Sequence, residues 1–318
     1  MSQIKYLLPK EGEFYKTNLH AHTTVSDGAF TPEQMKSEYM KKGYSAIAYT
    51  DHNKLTDHND LCDESFIAIN GFECDIYESG KSDFASMRTY HLNFLDTDPK
   101  ENTQAKIDSI WPRPAYDDMN GINAYIEKMN SLGFLTTYNH PYWSLQNFDD
   151  IKILKGIWAF EIYNHGCEVE GLNGYAPQTY DELLRLGNSM YCVMTDDNHN
   201  HNPLDSQYND SFGGFTMIKA ESLSYENIIK SMKEGNFYCS MSPQIHELYI
   251  EENTLVVKCD PVQSIFVTSS HRICHRCIAP AGETITSASY KLTGNEGYIR
   301  VTCKTTDGKF ANSNAYFI

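Results

Sequence analysis

The sequence predicts an α/β protein: a largely parallel sheet built from repeated strand–helix units, followed by a small all-β, sandwich-like domain. Two observations carry this. Up to about residue 240, short apolar runs alternate with helix-patterned stretches, the signature of strands joined by helical crossovers. After Ser242 the helical pattern stops, and short β-rich runs split by turn residues replace it. The expected boundary separates residues 1–241 from 242–318. Six or seven strand–helix repeats suffice to close a sheet into a barrel, with an open doubly wound sheet as the competing architecture.

In order, the apolar runs are 45–49 (SAIAY), 66–69 (FIAI), 91–95 (HLNFL), 134–138 (FLTTY), 158–163 (WAFEIY) and 191–194 (YCVM). Between them lie helical segments. Thr31 is a capping residue followed by Pro32 at the first helical position, and Gly43 supplies the stop. Further helices are expected near 120–132, 179–186 and 225–234. In the second part, 255–259, 264–267, 290–292 and 298–303 read as strands, with Gly294-Asn295 and Asp307-Gly308 as turns.

Composition bounds the function. The chain has 318 residues, enough for one large domain plus a small one. With 26 Lys and Arg against 42 Asp and Glu, the net charge is −16, which argues against general nucleic-acid binding through a basic face. No apolar run approaches the ~20 residues that cross a bilayer, and Met1–Lys16 is too polar for a secretion signal. A cytoplasmic location without membrane attachment is expected. The nine cysteines stand mostly alone inside apolar runs and read as reduced core thiols.

The histidines fall in groups: His20-Ala21-His22, Asp51-His52, His91, Asn139-His140-Pro141 and Asp197-Asn198-His199, with Ser26-Asp27-Gly28 and Gly71-Phe72-Glu73 beside them. Most lie at or just past the C-terminal end of an apolar run, where the loops of a parallel barrel converge. On extended backbone, residues i and i+2 point the same way, so His20 and His22 can face one ion, and Asp197 and His199 repeat that spacing. Together these groups hold more donors than one ion can use, which points to a multinuclear metal site.

Residues 18–32 (NLHAHTTVSDGAFTP), 49–53 (YTDHN), Asn139-His140-Pro141 and Asp197-Asn198-His199 resemble the motifs of the PHP family of polymerase and histidinol phosphatase domains. The resemblance spans roughly residues 14–240. It implies a distorted seven-stranded (β/α) TIM-like barrel holding two or three divalent ions, Zn, Mn or Fe, and hydrolysis of a small phosphate ester. It further implies a first ion among His20, His22, Glu73 and Asp197, and a second held by His91 and His140 with Glu73 shared. A third would take Asp27, His52 and His199. Asp51 would orient His52.

Catalytic roles then fall to Glu73, bridging two ions, to Asp27 at the ion facing the phosphate, and to His165 as a proton donor to the leaving group. Asp196 and His201 are further candidates for contact with the substrate, and Arg88 and Lys54 for the phosphate charge. The expected partner is a small phosphorylated molecule. Two other readings stay open: an amidohydrolase-like hydrolase of a non-phosphate substrate, and a binding protein with structural ions. The Cys274-His275-Arg276-Cys277 run, with His271 nearby, lacks the second pair a zinc site needs, and strand alternation sends its two cysteines apart. His58 and His246 have no motif around them.

Overall fold

The computed structural model describes residues 4–101, 103–272 and 274–318. In chain order the strands are β1 (Ile4–Tyr6), β2 (Glu13–Asn18), β3 (Tyr44–Tyr49), β4 (Ile67–Tyr77), β5 (Thr89–Asp96), β6 (Phe134–Tyr138), β7 (Ala159–Asn164), β8 (Tyr191–Thr195), β9 (Phe215–Ala220) and β10 (Phe237–Ser240). Eight more follow: β11 (Ile245–Glu251), β12 (Thr254–Val262), β13 (Ser264–Ser269), β14 (His275–Ile278), β15 (Ile285–Lys291), β16 (Tyr298–Lys304), β17 (Phe310–Ser313) and β18 (Tyr316–Phe317). The helices are α1 (Pro32–Lys41), α2 (Thr103–Ser109), α3 (Met119–Ser131), α4 (Phe148–Ile151), α5 (His165–Gly171), α6 (Pro177–Arg185) and α7 (Tyr225–Glu234).

Local chemistry sets the helix ends. Thr31 and Gln34 form a reciprocal capping box ahead of Pro32, and Gly43 leaves α1 with φ +77°. Helices α3, α6 and α7 fall where the sequence pattern puts them. Strand β3 is buried on both faces, which makes it a continuous apolar run: Ile47 and Tyr49 pack with Met35 and Tyr39 of α1, while Ala46 and Ala48 face the opposite cluster.

The sheet is mixed, not largely parallel. β2–β3–β4 and β6–β7–β8 pair in parallel, but β5 runs antiparallel to both β4 and β6, and β9 runs antiparallel to β2. β4 returns to β5 through residues 78–88 without an α-helix, as an antiparallel pair allows.

The expected closed barrel is not formed either. Hydrogen-bonded neighbours run in an open path from β14 through β13, β16, β17, β10, β9 and β2 to β8. β9 spends both edges, on β2 and on β10, so β8 finds no strand edge to pair with. The sheet nevertheless curls around a shared interior of Leu19, Ala46, Ala48, Ile69, Ala159, Val193 and Ile218. Its rims meet at one parallel bridge, Ala21–Asn198, flanked by Asp197 N to His20 O at 3.0 Å.

The C-terminal strands extend this same sheet through the β10–β17 pairing, while β1, β11, β12 and β15 make a second, four-stranded antiparallel sheet. Side chains also tie the C-terminal part to the first, Asn314 and Arg300 among them. Asn314 Oδ1 accepts from Cys192 N on the unpaired edge of β8 (3.0 Å), and its Nδ2 donates to Gly235 O and Phe237 O. Asp181 of α6 receives Arg300 Nε and Nη2 at 2.7 and 2.6 Å, a buried two-point ion pair. No helix among the described residues is long and apolar enough to cross a membrane.

Candidate metal centre

Six strands deliver donors to one end of the curled sheet. β2 ends at Asn18, just before His20 and His22; β3 ends before His52; β6 ends before His140; and β8 ends before Asp197 and His199. Glu73 projects from the middle of the long β4. His91 lies near the start of β5, because an antiparallel strand presents its entry at this end. Asp27 sits in a turn that folds under the loop after β2. A Cβ on Gly28 would lie 2.5 Å from His22 O, so only glycine lets that turn approach.

All nine expected donors fall into overlapping groups whose ligand atoms lie within 4.8 Å of one another: His20, His22, Glu73 and Asp197; Glu73, His91 and His140; and His22, Asp27, His52 and His199. The first two groups are deeply buried. The third is open, with Asp27 53% and His199 27% exposed. The backbone is strained here, with φ +22° at His140 and +52° at Asp197, conformations that non-glycine residues hold only when their surroundings over-determine them.

Glu161 on β7 is a residue the sequence reading passed over. It is 1% exposed and accepts from His20 Nδ1 and His140 N, both at 2.9 Å, from Asn164 Nδ2 at 3.0 Å and from Thr195 Oγ1. Its carboxylate fixes the His20 proton on Nδ1 and turns the Nε2 lone pair toward Glu73 (3.3 Å) and Asp197 (3.0 Å). Ser144 Oγ, 3.1 Å from His140 Nδ1, and the Asp197 carbonyl, 3.2 Å from His199 Nδ1, do the same for those rings. A carboxylate inside the apolar run WAFEIY was the available signal.

Asp51 grips the loop that carries Asp27, accepting from Thr23 N and Oγ1 at 2.8 Å and from Ser26 N and Oγ at 3.0 and 2.7 Å. His52 instead meets Asp75, a second residue the sequence reading missed, which Asn53 and Arg113 also contact. Asp196 is fully buried and committed to Tyr39 OH and the amides of Phe212, Gly213 and Gly214, so it faces no substrate.

His165 is not brought into the cavity either: its ring lies against Gly213, where a Cβ would sit 2.2 Å from it, and its Nδ1 faces Tyr163 OH at 2.9 Å. Arg88 is held by Glu78 and Asp150, and Lys54 by Val25 O, outside the cavity lining. His201 does line the mouth. No donor group forms among the described residues of 271–277.

The cavity of about 630 Å³ over these groups has no Lys or Arg in its described lining. Electrostatics are set by the donors themselves. Burial alone would raise the Glu73 carboxyl, but His91 and His20 beside it hold it well below the usual range. Asp27 is likewise held low, against partial burial, by His199, His22 and His52. His199, which burial would lower, is lifted by Asp27 to about 8.

Four buried polar atoms in the centre lack hydrogen-bond partners: His22 Nδ1, His52 Nδ1, His91 Nε2 and Asp197 Oδ1. Asp197 Oδ1 lies 3.0 Å from Nε2 of both His20 and His22, yet forms no aligned hydrogen bond. Buried polar atoms without partners are costly in a protein alone, and a cation bound among such donors removes that cost. The donor set therefore fits divalent ions.

A centre built from histidines and shared carboxylates at one end of a curled, mixed sheet defines the class of protein. The model of the PHP domain family matches residues 18–261, and the chain belongs to that family. A stretch of 87 residues is 36% identical to the DNA polymerase/3'-5' exonuclease PolX of Bacillus subtilis (strain 168), covering 22% of this chain and 15% of that protein.

Among solved structures, a two-domain protein from Bacteroides vulgatus, described as containing a predicted PHP-like metal-dependent phosphoesterase, aligns over 99% of this chain and 98% of its own, at 17% identity and TM-score 0.49. An amidohydrolase from Chromobacterium violaceum, with bound sulfate and no metal, aligns over 57% of this chain and 87% of its own, at 14% identity and TM-score 0.41.

Proposed function

We propose that this protein is a metal-dependent phosphoesterase that hydrolyses a small phosphate ester at a centre of two or three divalent ions, Zn, Mn or Fe. The observation that carries the reading is the nested donor set around Glu73, with tautomers fixed from behind, opening into a cavity whose described lining offers a phosphate no Lys or Arg. His20, His22, Glu73 and Asp197 would hold one ion, Glu73, His91 and His140 a second, and Asp27, His52 and His199 the exposed third. Bound divalent ions supply Lewis acidity, activating water near neutral pH and offsetting charge on the phosphoryl oxygens.

The chain's own residues do the rest. Glu161 and Ser144 hold the His20 and His140 lone pairs toward the centre, and Asp51 fixes the turn that presents Asp27 at the open side, where a phosphate arrives. The leaving alcohol takes its proton at the mouth, from solvent or His201. Residues 1–241 are assigned the hydrolase and 242–318 a supporting role, in keeping with a described cavity lining that ends at Asp210.

The test is elemental analysis after reconstitution with excess Mn or Zn, followed by assays on p-nitrophenyl phosphate and a bisphosphate. More than one ion per chain and chelator-sensitive turnover are expected. At most one ion, or turnover of neither ester, overturns the reading.

A further inference from the structure

Beside the donor groups stands a wall of aromatic side chains that metal binding does not use. Trp143 packs its ring 5.1 Å from His140 and 5.6 Å from His91. Phe84 continues the wall at 6.2 Å from Trp143, and Tyr77 at 5.9 Å from Phe84 and 5.9 Å from His91. All three line the cavity. Phe84 leaves 58% of its surface in water, an apolar ring that its own fold does not bury.

Trp143 is held in place from the α5 side by Nε1 donating to Glu170 Oε2 at 2.8 Å, so the indole is oriented before anything binds. The same lining carries Glu170 and Asp210, and no Lys or Arg among the described residues. A second anionic group on the substrate would be repelled, whereas an uncharged ring would cover apolar surface.

We infer that Tyr77, Phe84 and Trp143 form a leaving-group subsite for a planar, uncharged aromatic ring, making the substrates phosphate esters of alcohols that carry one. This rests on the phosphoesterase reading and narrows its substrate class. The ring stacks on the wall while the phosphate meets the donor groups next to it. Continuity between Trp143 and the rings of His91 and His140 places the two halves of such a substrate side by side.

The experiment uses the full chain reconstituted with Mn and compares benzyl phosphate with cyclohexylmethyl phosphate, whose alcohols are similar leaving groups and similar in bulk. A kcat/KM about fivefold or more higher for the benzyl ester is expected, the scale of an aromatic pairing beyond plain burial. Trp143→Ala and Phe84→Ala should each bring the ratio toward one, and Trp143→Phe should keep most of it. Phe84 touches no proposed ligand, so its variant serves if Trp143→Ala disturbs metal content.

Calorimetry with benzylphosphonate and cyclohexylmethylphosphonate gives the same comparison without turnover. Equal ratios in the parent protein, a ratio unmoved by both alanine variants, or better hydrolysis of choline phosphate than of benzyl phosphate would overturn the inference. Hydrolysis of no ester with tighter benzylphosphonate binding would overturn the phosphoesterase reading and leave the aromatic subsite standing. Hydrolysis of no ester with equal phosphonate binding would overturn both.

Discussion

Glu161→Gln should weaken metal binding without removing any ligand. Four donors point at this carboxylate: His20 Nδ1 and Thr195 Oγ1 at one oxygen, and His140 N and Asn164 Nδ2 at the other. The isosteric amide has one oxygen to offer, so one pair of donors must face an NH₂ group. If the amide nitrogen turns to the His20 side, Thr195 can rotate its hydroxyl, but His20 must carry its proton on Nε2 and lose the lone pair aimed at Glu73 and Asp197. If it turns to the other side, the His140 amide is left without an acceptor in a buried strained turn, at about 1–3 kcal/mol.

Either outcome disorients a ligand, and disturbing a residue that orients one costs roughly 10–100-fold in metal affinity, about 1.4–2.7 kcal/mol. The assay is competition against a chromophoric chelator, titrating Zn into metal-free parent and variant, with circular dichroism to establish that both are folded. A variant whose affinity stays within about threefold of the parent would refute the orienting role of Glu161.

Three further outcomes are expected. Asp27→Asn should keep the fold and the buried ions while lowering phosphatase kcat roughly 10²-fold or more, since the exposed group is where transition-state charge is met; unchanged kcat would take the third group out of catalysis. In the metal-free protein His199 is lifted from 6.5 to about 8, so its pairing with Asp27 stabilises the fold fully below pH 6.5, and this contribution is lost as pH rises through 8. An ion must displace that proton, so apparent affinity at the exposed group should climb up to about pH 8 with protons released, measurable by calorimetry in two buffers of different ionisation enthalpy. Asn314→Leu strips partners from Cys192 N, Gly235 O and Phe237 O and should destabilise the chain by about 2–4 kcal/mol in urea unfolding; a change under ~0.5 kcal/mol would mean the seam by β8 is held elsewhere.

The donors were legible in the sequence because metal chemistry forces residue types and local spacings. His20 and His22 repeat at i, i+2, and His52, His140 and Asp197 follow directly on apolar runs, so a strand-end rule finds them. His91 follows a different rule, since β5 is antiparallel and offers its entry to the site. The residues behind the donors were not legible. Glu161 is a single carboxylate in an apolar strand and Asp75 follows Glu73 on β4, and their partners lie on other strands or loops: Glu161 is 141 residues from His20. Asp196 looked functional through its neighbour Asp197, yet alternation turns it the other way, into the amides of 212–214.

Closure of the sheet was illegible for a related reason. Repeated strand–helix units predict parallel neighbours, but whether the last strand meets the first depends on what else claims the edges. Here β9 pairs with β2 on one side and β10 on the other, and β10 in turn pairs with β17 from the C-terminal part. The strands after residue 242 are thus hydrogen-bonded continuations of the sheet that holds the donors, and the side chain of Asn314 stands where a closing strand would have satisfied Cys192 N. An asparagine near the end of a chain carries no such signal in its sequence. Its role follows from the accounting of backbone donors and acceptors, each of which must find a partner once buried.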